Sequence, residues 1–261
     1  MPYASLQSRV DVDTCRSTRL AIAVLTFSVI ATVAGAAPAG RCEAAAPAEV
    51  SGVEPEDQTG SYAFDEMLRG GHASALRWDK VPELVVLLPV MQYEKGRGTE
   101  YRATSQRLTQ EEATALVADL TGALAVLTDN VLTGFSAVRF ETAVPGDEVN
   151  VMRPGQIVVA RYAGVRDQLA TIGFGGRSAR GSTIRAGSII LDNEFDRAND
   201  TRRLLRMHEL GHALGYNHVT SRASIMNPKI GPEFTDVDRA IARVAFQDAA
   251  PATSGCAVSV G

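Results

Sequence analysis

The sequence predicts an α+β domain, a mixed sheet with covering helices. Three observations predict it. Leu84–Leu88 is a short apolar run followed by Pro89, the pattern of a buried strand. Behind Thr109-Gln110-Glu111-Glu112, which has capping-box spacing, apolar residues recur at helical intervals. Further short apolar segments then lead into two helices near the C-terminus.

The elements follow in chain order. Arg16 and Arg19 precede an apolar run, Leu20–Val33, and then Ala34-Gly35-Ala36-Ala37. This layout predicts a secretory signal over residues 1–36, cleaved after Ala36. The run is short for a membrane span of about 20 residues, so a retained anchor is the lesser expectation. Membrane attachment is expected only if the signal stays uncleaved. Residues 37–80 read as a flexible spacer or a short prosegment: Ala37–Thr59 is rich in Ala, Pro, Glu and Gly, without apolar periodicity. Ser61–Asp79 fits either a prosegment or the first packed residues. The folded domain is expected from Val81, over residues 81–250, with a tail at 251–261.

Within it, Ala113, Leu116, Val117, Leu120, Leu124 and Leu127 form one helix face. Strands are expected near Ala137–Phe140, Gln156–Tyr162, Leu169–Phe174 and Ser188–Leu191. Gly173-Phe174-Gly175-Gly176 lacks the Lys-Ser/Thr of a phosphate loop and reads as a loop or hairpin turn. One helix is expected after Asn199-Asp200, with Asp200 as a candidate cap. A last helix starts at Thr235, with Val237, Ile241 and Val244 as its apolar face.

Of the 261 residues, 45% are hydrophobic and 21% charged, enough for a core. The net charge of −4, without a dense Lys/Arg block, gives no footprint for nucleic acid. There are three cysteines. Cys15 leaves with the signal, and Cys42 and Cys256 are candidates for a disulfide in an oxidising compartment. Asp192, Glu194, Asp196 and Asp200 form an acidic cluster; without a calcium-loop spacing it reads as a solvated loop rather than a calcium site.

One stretch carries chemistry: His208-Glu209-Leu210-Gly211-His212-Ala213-Leu214-Gly215-Tyr216-Asn217-His218. Two histidines four apart share a helix face, so both imidazoles reach one ion. Gly215, in a left-handed conformation, ends the helix and brings His218 back toward that ion. Three nitrogen ligands leave the open position a catalytic zinc needs. Glu209, beside the first ligand, is placed to act as a general base without being a ligand itself. The chain has four histidines and three of them lie here; the fourth, His72, reads as a surface residue.

His-Glu-x-x-His-x-x-Gly-x-x-His resembles the zinc signature of the metzincin metallopeptidases. Ser224-Ile225-Met226-Asn227-Pro228 resembles their Met-turn, with Met226 as a hydrophobic floor below the metal. The resemblance extends over Val81–Gln247 in element order and is sharp over His208–Pro228. It implies a twisted mixed sheet with a catalytic helix and a C-terminal helix, one catalytic Zn2+ on His208, His212 and His218, and Glu209 as base. It also implies a protein or peptide substrate held along a strand edge, here matched to Ser182–Ile190, with a specificity pocket walled by Val219–Ser224 and the chain after Met226. Among metzincins the chain looks closest to matrixin-like bacterial members. It departs from animal matrixins at Val219, after the third histidine, and in lacking histidines for a second zinc. Gly40-Arg41-Cys42-Glu43 does not match the family's cysteine switch. The expected function is a secreted zinc endopeptidase. The rivals are a secreted metzincin-like zinc-binding protein without useful catalysis and a zinc hydrolase of another amide, such as an aminopeptidase or a cell-wall peptide hydrolase. The intact Glu209 argues against the first.

Overall fold

A computed structural model describes residues 55–70, 75–229 and 231–247. The expected signal, Cys15, Cys42, Cys256, His72 and the expected tail lie outside them. In chain order the elements are α1 (Pro55–Leu68), β1 (Arg77–Trp78), β2 (Glu83–Leu87), β3 (Pro89–Gln92), β4 (Glu100–Arg107), α2 (Gln110–Leu127), β5 (Val138–Glu141), β6 (Glu148–Asn150), β7 (Gln156–Ala163), α3 (Val165–Leu169), β8 (Gly173–Arg180), β9 (Thr183–Asp192), α4 (Asn193–Ala198), α5 (Arg202–Leu214) and α6 (Asp236–Phe246). The fold is α+β with a mixed sheet.

Strands β2 and β3 act as one line broken at Leu88. The β2 half lies between β5 and β7, both parallel to it, and the β3 half between β4, antiparallel, and β7, parallel. On its other side β7 pairs β9 in parallel, and β8 runs antiparallel along the far edge of β9. Residues of β2 alternate between two cores: Leu84 and Val86 face the helices, Val85 and Leu87 the opposite side. A strand buried on both faces reads as a continuous apolar run, which is why Leu84–Leu88 was conspicuous.

Helix α2 carries the expected capping box: Thr109 Oγ1 accepts from the Glu112 amide (3.2 Å) and Glu112 Oε2 from the Thr109 amide (2.8 Å). Its buried face is Ala113, Leu116, Leu120, Ala123, Leu124 and Leu127. In α6, Thr235 and Asp238 form a second capping box, and the buried face is Asp238, Ile241, Ala242 and Ala245. Val244, expected on that face, is exposed, and Val237 is half-buried.

Several expectations are corrected. The packed part begins before Val81: Ala63 and Met67 of α1 are fully buried in the main core. The Gly-rich piece starting at Gly173 is not a turn but the first half of β8. The strand expected near Leu169–Phe174 is instead the end of α3, a left-handed Ala170 and the start of β8. Thr201, not Asp200, is the N-cap residue of α5. The acidic cluster is not one solvated loop: Glu194 and Asp196 lie in α4, Asp192 caps that helix with a carboxylate that accepts from the Phe195 amide at 2.9 Å, and Asp200 is exposed beyond it. Asp196 is fully buried, between Arg161 and Arg206.

Candidate metal centre

Helix α5 runs beneath β8 and β9 and ends as the glycine pattern requires. Gly215 is left-handed (φ +116°), and the Tyr216 amide donates back to the Gly211 carbonyl at 2.9 Å. A Cβ at Gly215 would lie 2.7 Å from the Leu76 carbonyl oxygen, so space as well as φ demands glycine. The chain then doubles back and brings His218 to the helix.

The three imidazoles converge. The Nε2 atoms lie 3.1 Å apart for His208 and His212, 3.1 Å for His212 and His218, and 3.3 Å for His218 and His208. Tetrahedral ligands at 2.0–2.1 Å from a zinc stand roughly 3.3–3.4 Å apart, so the spacing fits one shared ion. Two rings are oriented from behind. His208 Nδ1 donates to the Ile225 carbonyl (2.7 Å) and His212 Nδ1 to the Tyr216 carbonyl (2.9 Å), which leaves both Nε2 lone pairs free. Burial lowers the pKa of all three, His212 to about 3, so the rings are neutral at pH 7, as ligands must be. His208, His212 and His218 thus form a group that can hold a metal ion.

Glu209 lies in the same cleft. It is nearly fully buried, and burial pushes its carboxyl up to about 8, opposed by a hydrogen bond from the Gly175 amide. Its Oε2 has no hydrogen-bond partner among the described residues. A buried carboxylate oxygen left unpaired is costly unless something else answers it.

Met226 is fully buried and packs under the helix: a Cβ on Gly211 would come within 2.6 Å of its Sδ. The turn around it is held by Asp238 of α6, whose carboxylate accepts from Ser224 Oγ and from the Ile225 amide (2.9 Å). Since Ile225 also accepts from His208, Asp238 supports the first ligand through the turn. The sequence offered no sign of this.

The cleft encloses about 700 Å³ and is lined by the three histidines, Glu209, residues 170–175, Arg166, Leu205, Pro228 and Lys229. Two expectations fail here. Ser182–Ile190 cannot offer a free edge along the cleft, because Gly187–Leu191 is paired by β7 on one side and β8 on the other. The strand that reaches the cleft is β8, through Gly173, Phe174 and Gly175. Val219 and Ser224 are fully buried and do not line the cleft, whereas Pro228 and Lys229, after Met226, do.

The chain matches no protein-family model and no curated protein.

Proposed function

We propose that the protein is a zinc-dependent endopeptidase with a metzincin-like catalytic domain, acting on proteins outside the cytoplasm. The observation that carries this reading is the pairing of three converged Nε2 atoms with an unpartnered, buried Glu209 Oε2 in one open cleft. A structural metal site has no use for such a carboxylate; a hydrolytic one requires it.

When bound, zinc supplies Lewis acidity, which makes water acidic enough to lose a proton near neutrality and polarises a carbonyl oxygen. The chain's own residues do the rest. His208 and His212, their Nδ1 protons fixed on Ile225 and Tyr216, present Nε2 lone pairs in a set direction. Burial alone keeps the Glu209 carboxyl largely protonated at pH 7; beside a bound dication the charged carboxylate would be favoured, and its Oε2 then takes a proton from the attacking water and later delivers it to the amine nitrogen of the leaving fragment. A peptide is recognised by main-chain pairing along the outer edge of β8, which gives affinity without demanding a sequence.

The test is paired. Zinc per chain and cleavage of a denatured general protein substrate are measured for wild type and Glu209→Ala. Both are expected to bind about one zinc, with cleavage at least about 100-fold slower in the variant and abolished in wild type by a chelator. A wild type that holds zinc and cleaves nothing removes the catalytic reading. One that holds no zinc removes the metal centre as well.

A further inference from the structure

Helix α5 explains how His208 and His212 share a face. It does not explain what holds His218, which is exposed and lies beyond the helix end. The segment from Asn217 to Ser221 is instead bound by side chains remote in sequence. Glu66 of α1 accepts four hydrogen bonds from it: from the Thr220 amide (3.2 Å) and hydroxyl (2.7 Å), and from the Ser221 amide (3.2 Å) and hydroxyl (2.7 Å). The neighbouring Met67 carbonyl accepts from the Asn217 amide (2.8 Å) and from Asn217 Nδ2 (3.2 Å). The residue just before His218 and the two that follow Val219 are therefore tied to a single turn of α1.

A third anchor comes from β8. Arg177 Nη2 donates to Asn217 Oδ1 (2.6 Å), and Nη1 donates to the carbonyls of His212 (3.1 Å) and Tyr216 (3.2 Å). The Asn217 side chain thus spends its oxygen on β8 and its nitrogen on α1. Packing leaves it little room: a Cβ on Gly70 would lie 2.5 Å from Asn217 Cγ. Met67 itself is fully buried, so the α1 turn that makes these contacts is anchored in the core.

We propose that α1 is a positioning element of the metal centre, with Glu66 and Asn217 as the positioning residues that hold His218 at the converged site before an ion arrives. This rests on the metal-centre reading above. The physical ground is preorganisation: a ligand on an exposed segment would otherwise lose its freedom when the ion binds, and that loss weakens affinity. It follows that residues up to Leu68 are part of the working domain and not a removable prosegment.

The experiment measures zinc affinity by chelator competition, and the Co(II) absorption spectrum, on full-length wild type, Glu66→Ala, Glu66→Gln and Asp65→Ala. Glu66→Ala is expected to weaken zinc binding about 10-fold or more and to alter the Co(II) spectrum, with Glu66→Gln recovering part of the loss through its remaining acceptor oxygen. Asp65, exposed on the same helix and paired with Arg69, is the control and leaves affinity unchanged. A purely structural Glu66 would lower the melting temperatures of metal-free and zinc-loaded protein alike. A positioning Glu66 shrinks the gap between them. If Glu66→Ala does not fold, Glu66→Gln gives the reading. Wild-type affinity in a folded Glu66 variant overturns the proposal and leaves the metal centre standing, whereas a wild type without zinc removes both.

Discussion

Arg206 and His208, both buried, stand two residues apart on α5, and each belongs to a polar cluster of a different kind. Around Arg206 every charge is answered. Its guanidinium grips Asp196 with two bonds of 2.7 Å and reaches Asp119 with a third, also of 2.7 Å. Asp196 also takes Arg161 Nε at 2.7 Å, and Arg161 Nη1 reaches Glu112 at 2.6 Å. Around His208 the opposite holds. Three imidazole nitrogens are aimed at one another, and Glu209 keeps a buried oxygen without a donor among the described residues. Satisfied burial of charge describes a structural part; unsatisfied burial marks where a partner from outside is expected. One helix carries both, so the network fixes the helix and the helix presents the candidate ligands.

The comparison breaks most visibly at the network's centre. Arg206→Ala leaves Asp196, fully buried, with one of its two cations gone. Removing one partner of a buried pair costs about 3–5 kcal/mol, and that loss is expected in chemical denaturation of the metal-free protein. Replacing both partners, as in Arg206→Met with Asp196→Leu, should restore part of it, because the uncompensated charge disappears. If Arg206→Ala costs under about 1 kcal/mol, the network does not secure α5 and the division of labour fails.

The next effect lies where β8 meets the metal side of the helix. A Cβ at Gly175 would fall 2.2 Å from the Glu209 carbonyl oxygen and 2.6 Å from His212 Cβ. Gly175→Ala therefore pushes β8 off α5. Overpacking of this kind costs about 1–3 kcal/mol. Glu209 and His212 are displaced with the strand contact, and a displacement of about 1 Å in the proposed base is expected to lower turnover by about 100-fold. Stability and kcat/KM measured together should show a loss in rate larger than the loss in stability explains. Unchanged turnover would separate β8 from the chemistry.

The two clusters differ as much in how far the sequence discloses them. The candidate metal centre is legible because its spacing is local: two histidines one turn apart, a glycine that must be left-handed, a third histidine three residues on. Helix α2 was legible for the same reason, through Thr109 and Glu112. The network was not. Asp192, Glu194, Asp196 and Asp200 looked like one acidic loop, yet Asp196 meets Arg161 and Arg206 deep inside while Glu194 and Asp200 stay exposed. Its partners come from α2, β7 and α5, and no periodicity reports which strand lies beside which helix. The same limit hid Glu66, 155 positions from Ser221. It also misassigned the cleft strand, since β8 and β9 share a hairpin and only the sheet order tells which has the free edge.

The smallest effect tests the rim of the network against its centre. Arg203 pairs with Asp119 at 3.3 Å, but its side chain is 77% exposed, against 1% for Arg206 on the same carboxylate. An ion pair in that much water is screened and pays entropy to hold a long side chain still, so Arg203→Ala should change stability by less than about 0.5 kcal/mol. Asp119 keeps Arg206, so no charge is stranded by the change. Denaturant midpoints for Arg203→Ala and Arg206→Ala, read side by side, put two arginines on one aspartate and vary only their depth. Equal losses would mean that burial is not what makes the network structural, and the contrast drawn along α5 would lose its basis.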